Sequence, residues 1–197
     1  MSETDYIVLR KTPFRESSLI VSGISPEYGR LDFIMRGHSS GKAGKFSVAG
    51  LFRELHIEFK TKKEDLSGLL TAGKIELLEN HDSIAENLPG YMGACELASS
   101  LLPNVAAMVP IPETYQSVKL YFRAIQNGKA PEPYLSLVFL MFLYEAGELP
   151  IPEDRAGDFL AKLLTDIADG NDIPSTIPES YWQKLCEWRK VVCRKMK

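Results

Sequence analysis

Two hydrophobic patterns divide this chain. Up to about residue 80, apolar positions come in short runs or alternate with polar ones, the strand signal; beyond it they recur every three to four residues, the helix signal. Tyr6–Leu9 opens an apolar run, and Ser18–Ile24 is short and β-branched. Ser25–Arg30 follows, with Pro26 and Gly29 suited to a turn. Leu31–Gly37 then reads as the hairpin partner. Leu51–Lys60 alternates, with Leu51, Leu55, Ile57 and Phe59 expected on one face and Glu54, His56 and Glu58 on the other. Leu66–Glu79 reads as a fifth strand. Five short strands over about 80 residues suit a small closed barrel.

The helical part predicts five helices. Ile84–Leu102 carries Leu88, Tyr91, Met92, Cys95, Ala98, Ser99 and Leu102 as its stripe and ends at Pro103. The next starts at Pro112-Glu113, places Tyr115, Val118, Tyr121, Phe122 and Ile125 together, and closes at Asn127-Gly128. Pro133–Ala146 is apolar nearly all round, the mark of a central buried helix, with Gly147 as its cap. Asp154–Ala168 and Ser180–Met196 follow, the latter with Trp182, Leu185, Trp188 and Val192. The expected architecture is all-β then all-α (α+β): a five-stranded barrel over 1–80 and a helical bundle over 81–197.

Composition adds limits. The chain has 197 residues, 45% hydrophobic and 25% charged, enough for a real core. No window reaches the roughly 20 apolar residues of a membrane span, and Met-Ser-Glu-Thr-Asp does not open a secretion signal, so a cytoplasmic protein is expected. Three cysteines (Cys95, Cys186, Cys193) do not make a disulfide framework and are expected as buried thiols. No zinc-type spacing occurs, and no cofactor or metal is expected.

Charge is distributed unevenly. The net value is −3. From Tyr6 to Lys63 there are eleven basic and five acidic residues, a balance of +6; from His81 to Glu187 there are six basic and fifteen acidic residues, a balance of −9. The last ten residues carry five cations and no acid. A polyanion would therefore meet the front of the chain. The stretch 36–45 joins Arg36, His38, Lys42 and Lys45 to three glycines without an acid.

Catalytic constellations are absent from the pattern. Gly37–Ala43 fails as a phosphate loop, because three residues separate its glycines and Ala43 stands where a magnesium ligand belongs. His38, His56 and His81 have no metal spacing, and no Gly-x-Ser-x-Gly elbow exists. Glu153-Asp154 suits a helix N-terminus better than acid–base work. Trp182 and Trp188 read as core. Phe14, Phe33 and Phe46 could pack a barrel or stack on a base.

Four motifs in order carry a resemblance. Tyr6–Ile20 (basic pair Arg10-Lys11, then Pro13-Phe14 and Glu16-Ser17-Ser18-Leu19) resembles the opening of the bacterial recombination mediator RecO family. Glu27-Tyr28-Gly29-Arg30-Leu31 resembles its hairpin turn, Met35-Arg36-Gly37 its Lys-Gly step, and Ala130-Pro131-Glu132-Pro133 the approach to its central helix. The resemblance spans about 4–147. It implies an N-terminal OB barrel followed by helices. It also implies a non-enzymatic DNA-binding protein of recombinational repair that binds single- and double-stranded DNA, anneals strands and loads recombinase with RecR and single-strand-binding protein. Two features depart: no four-cysteine zinc module is present, and Tyr134–Val138, where the family often has arginines, carries no cation. Under this reading Arg10, Lys11, Arg15, Arg30, Arg36, Lys42, Lys45 and Arg53 are the expected DNA-binding residues, acting on phosphates rather than base edges. An OB-fold adaptor for a protein partner, or an RNA-binding OB protein, would share the same outline.

Overall fold

The computed structural model describes residues 2–15, 18–36, 45–60, 66–174 and 176–195. Five strands, β1 (Ser2–Phe14), β2 (Ser18–Ser25), β3 (Gly29–Arg36), β4 (Glu54–Phe59) and β5 (Leu69–Glu79), close a barrel in the order β1-β2-β3-β5-β4. Only the β3–β5 pairing is parallel. A short helix α1 (Lys45–Val48) lies between β3 and β4. After the barrel come α2 (Leu88–Asn104), α3 (Pro112–Gln126), α4 (Pro131–Glu145), α5 (Arg155–Ala168) and α6 (Glu179–Val192). This is the expected α+β order, an OB-like barrel followed by helices.

β1 closes the barrel because it serves two partners. Its first half pairs with β4 (Ser2–Ile7) and its second with β2 (Ile7–Phe14), and a bulge between Val8 and Arg10 interrupts the β2 pairing near the changeover. A bulge bends a strand and sharpens its twist, as closure of so small a barrel requires. Tyr6 and Val8 fill the interior with Val21, Leu31, Phe33, Met35, Leu55, Ile57 and Phe59. The Tyr6 and Phe33 rings meet edge to face at 5.2 Å. The Tyr6 hydroxyl lies 2.9 Å from the Leu31 carbonyl and 3.1 Å from that of Val21, so the one polar atom of this ring is satisfied. Gly23 is required here, since a Cβ would collide with the Ile7 carbonyl and the Tyr6 ring.

Barrel and helices share a core. Ile7, Leu9, Ile24 and Phe52 are buried together with Leu97, Leu101, Tyr115, Val118 and Phe122. The β2–β3 turn is fastened to the α2–α3 connection by backbone bonds: Arg30 N donates to Ala106 O (3.3 Å), Met108 N to Tyr28 O (2.8 Å) and Ile111 N to Pro26 O (2.9 Å). α4 is buried nearly all round, as its composition predicts, because it lies between this core and a second one made with α5 and α6 (Leu160, Leu163, Leu164, Ile167, Trp182 and Leu185).

Several expectations are corrected. Glu54 shares the face of His56 and Glu58, as the unbroken β1–β4 register requires, but it is not at the surface: it is 2% exposed, with Lys119 Nζ at 2.7 Å and the Tyr115 hydroxyl at 3.0 Å. α3 covers this end of β4, while the β4–β5 register shift beside Glu54 puts its extra residue, Leu78, on β5. The α2 stripe is rotated. Leu88 and Met92 are 67% and 63% exposed, while Gly90, Gly93, Ala94, Leu97 and Leu101 are buried. Small residues face α3 because a Cβ at Gly90 would strike the Ile125 side chain and one at Gly93 the Tyr121 hydroxyl. α2 also starts later than expected, after a 3-10 turn at Asp82–Glu86, and Pro103 lies inside its last turn. There Val105 N donates to Leu101 O and Asn104 Nδ2 to Ser100 O, so the turn closes around the proline. No cysteine is fully buried: Cys95 is exposed, Cys186 and Cys193 partly so. Among the described residues no helix is long and apolar enough to cross a membrane.

Candidate nucleic-acid interface

The β1–β2–β3 sheet carries the cationic surface. Cross-strand pairing puts Phe14 beside Ser18 and Ser18 beside Arg36, and likewise Arg10 beside Ser22 and Ser22 beside Asp32. Strand spacing sets Phe14 and Arg36 about 10 Å apart across β2, and the rise along β1 sets Arg10 about 13 Å from Phe14. Arg10, Lys11, Arg15 and Arg36 are all exposed. Among the described residues none of the four has an ion-pair partner. Arg15 holds a positive φ of 56° and stands with its guanidinium 5.1 Å from the Phe14 ring centre, so the ring and the cation occupy one corner of the hairpin. Phe14 is partly exposed and Phe33 fills the barrel interior, which separates the two aromatics that sequence alone left equivalent.

Two of the expected cations serve the fold instead. Arg30 donates to the Leu102 carbonyl (2.9 Å) and to Asp32 (3.0 Å). Arg53 is ion-paired with Asp82 and donates to the Ser47 and Val48 carbonyls. The Asp82 carboxyl is held below its usual range, chiefly by the hydrogen bond from Arg53. A cation already matched by a carboxylate releases few counterions on binding a phosphate. Lys42 lies outside the described residues. Lys45 opens α1, but its side chain is likewise outside them.

The other side of the barrel has the opposite sign. Glu3 pairs with Glu58, and Asp5, His56 and Glu76 form one cross-strand row. His56 Nδ1 lies 2.8 Å from Asp5 and Nε2 lies 3.7 Å from Glu3. β1 therefore changes sign along its length, acidic (Glu3, Asp5) before the bulge and basic (Arg10, Lys11, Arg15) after it. Charge counting over the whole front of the chain could not show that separation. Among the described residues no group of three or more His, Cys, Asp or Glu side chains is arranged to hold a metal ion.

The two described histidines are shifted in opposite directions. The hydrogen bond to Asp5 raises His56, while burial lowers His81, which is 1% exposed with Nδ1 2.6 Å from the Gln126 side-chain oxygen. His56 therefore adds stability that is complete below the unfolded value of about 6.5 and lost as pH rises through its higher folded value. For His81 the unfolded chain takes the proton first, so stability is lost as pH falls from about 6.5 towards its lower folded value. Titration of the ring protons by NMR should give midpoints on either side of about 6.5. Asp5→Asn should move the His56 midpoint down and leave that of His81 in place.

Residues 1–77 match the family described as Recombination protein O N terminal. The chain is also similar to proteins named DNA repair protein RecO. It is 27% identical to that of Listeria welshimeri over 151 residues, 77% of this chain and 55% of the relative. It is 28% identical to that of Aliivibrio salmonicida over 165 residues, 84% of this chain and 58% of the relative. The chain thus matches little more than half the length of these relatives.

Proposed function

We propose that the chain is a member of the RecO family, to which its N-terminal barrel and its relatives are similar, and, on that premise, that it is a non-enzymatic DNA-binding protein of recombinational DNA repair. It grips sugar-phosphate backbone with the band Arg10, Lys11, Arg15 and Arg36. The observation that carries this reading is the set of four exposed cations without carboxylate partners among the described residues: Arg10 and Arg36 on one face of the β1–β2–β3 sheet, Lys11 at its edge on the other face, and Arg15 just past the end of β1. Such a band binds single and double strands without regard to sequence, through counterion release. It lowers the repulsion between two strands while leaving base edges free to pair, which is what annealing needs. The reading includes loading of recombinase with RecR as a docking partner. Single-strand-binding protein is the weaker partner here: Tyr134–Val138 is buried along its whole length, so it offers no surface to an acidic tail.

Filter binding of a single-stranded oligonucleotide at 50 and 200 mM salt tests the proposal. Four phosphate contacts give a slope of about −2.8 in log K against log salt, a loss of roughly fiftyfold over that interval. Absence of binding at both salts would favour the protein-adaptor alternative. A strong preference for RNA over DNA of equal sequence would favour the RNA-binding one.

A further inference from the structure

We propose that the cleft between the barrel and α2 receives a base of the bound strand, with Arg30 as its stacking plane and Arg10 on the neighbouring phosphate; this rests on the DNA-binding reading above. The cleft has a volume of about 410 Å³, within the ordinary range for small ligands. Its floor is apolar, from Leu9, Phe52, Ala98 and Leu102, and Arg10 and Arg30 stand at it as the only charged side chains among the described residues that line it.

The two arginines differ in what they can do. Asp32 neutralises Arg30, so Arg30 is a poor phosphate ligand. Its guanidinium is nevertheless fixed at two points, by the Leu102 carbonyl from α2 and by Asp32 on its own strand. A fixed planar cation at an apolar slot is a stacking surface for a nucleobase, at little further cost in side-chain entropy. Arg10 has no ion pair among the described residues and belongs to both the cleft and the cationic band. Arg10 thus joins the cleft to the sheet face that Phe14 and Arg36 share. Phe52 lines the cleft from a backbone with φ of 63°, a conformation that a non-glycine residue holds only where its surroundings enforce it. An acidic peptide fits less well, because the rim offers one unmatched cation and a peptide tail brings several carboxylates.

The test compares an oligothymidylate with an abasic oligomer of the same length, by fluorescence anisotropy, for the unmodified chain and for Ser99→Trp. Ser99 lies exposed on α2 at the cleft wall, where an indole fills the slot without entering the core. The unmodified chain should prefer the thymidine oligomer roughly fivefold or more, the lower end of what one stacked base contributes. Ser99→Trp should abolish that preference and leave abasic affinity unchanged. Cys95→Trp, one turn earlier on the same exposed face, should do the same and guards against misfolding of the first variant. No base preference in the unmodified chain, or full preference in both variants, would overturn the cleft assignment while leaving the band intact. Displacement of the oligomer's base preference by an Asp-rich peptide that Ser99→Trp no longer binds would assign the cleft to a protein partner and overturn it equally. Failure of both oligomers to bind would sink the parent reading instead.

Discussion

Replacing Arg10, Lys11, Arg15 and Arg36 together by glutamine is expected to lower affinity for single-stranded DNA by about two to three orders of magnitude at 0.1 M salt, and to flatten the salt slope by about 2.8. The size follows from four phosphates no longer neutralised, each releasing about 0.7 of a counterion. The loss should be the same for every base composition, because the band addresses backbone. All four side chains are exposed, so each substitution should change folding stability by no more than about 0.5 kcal/mol. Arg53→Gln forms the contrast: it releases the Ser47 and Val48 carbonyls and the Asp82 carboxylate, so its main effect should appear in unfolding curves. An unaltered salt slope in the quadruple variant would remove the band from the site.

Lys119→Met should destabilise the chain by about 3–5 kcal/mol, the usual consequence of leaving one member of a buried ion pair alone. Glu54 is anchored at the start of β4, inside the junction between barrel and helices, while Lys119 reaches it from α3 and keeps only 18% of its side chain exposed. Tyr115 donates its hydroxyl to the same carboxylate, and burial, followed by Glu54, pushes that hydroxyl far above its ordinary range. Combining Lys119→Met with Glu54→Gln should recover at least half of the loss. The amide still accepts from Tyr115, and no charge is stranded. Urea unfolding of both single variants and the double yields the coupling energy directly. A coupling near zero would show that the pair does not hold the junction.

Those two sites mark what was legible in the sequence and what was not. The strands, the turn at Gly29 and the all-round apolar α4 follow from local patterning, because each is decided by residues close together in the chain. Period-two alternation gives Glu54 its face but not its burial, because α3, which brings in Tyr115 from 61 residues further on, covers that end of β4. The α2 stripe was misread because hydrophobicity marks buried positions by size, whereas Gly90 and Gly93 are buried for lack of it. Arg30 and Arg53 are not told apart from the other cations by composition, because the partners that fix them across the fold lie 72 residues away at Leu102 and 29 away at Asp82, although Asp32 stands only two residues from Arg30. The separation of Arg10, Lys11, Arg15 and Arg36 from the acids of Glu3, Asp5 and Glu58 depends on which strand each half of β1 joins, and pairing is not written in composition.

The bulge after Val8 also bears on how a collision with DNA proceeds. By sending the acidic half of β1 to one neighbour and the basic half to another, it gives an anionic molecule a permanent dipole across its small domain. In the field of a polyanion such a dipole experiences a torque, so the molecule arrives turned with its hairpin foremost instead of being repelled by its total charge. The capture rate should then depend on ionic strength more steeply than a net charge of −3 allows, and with the opposite sign.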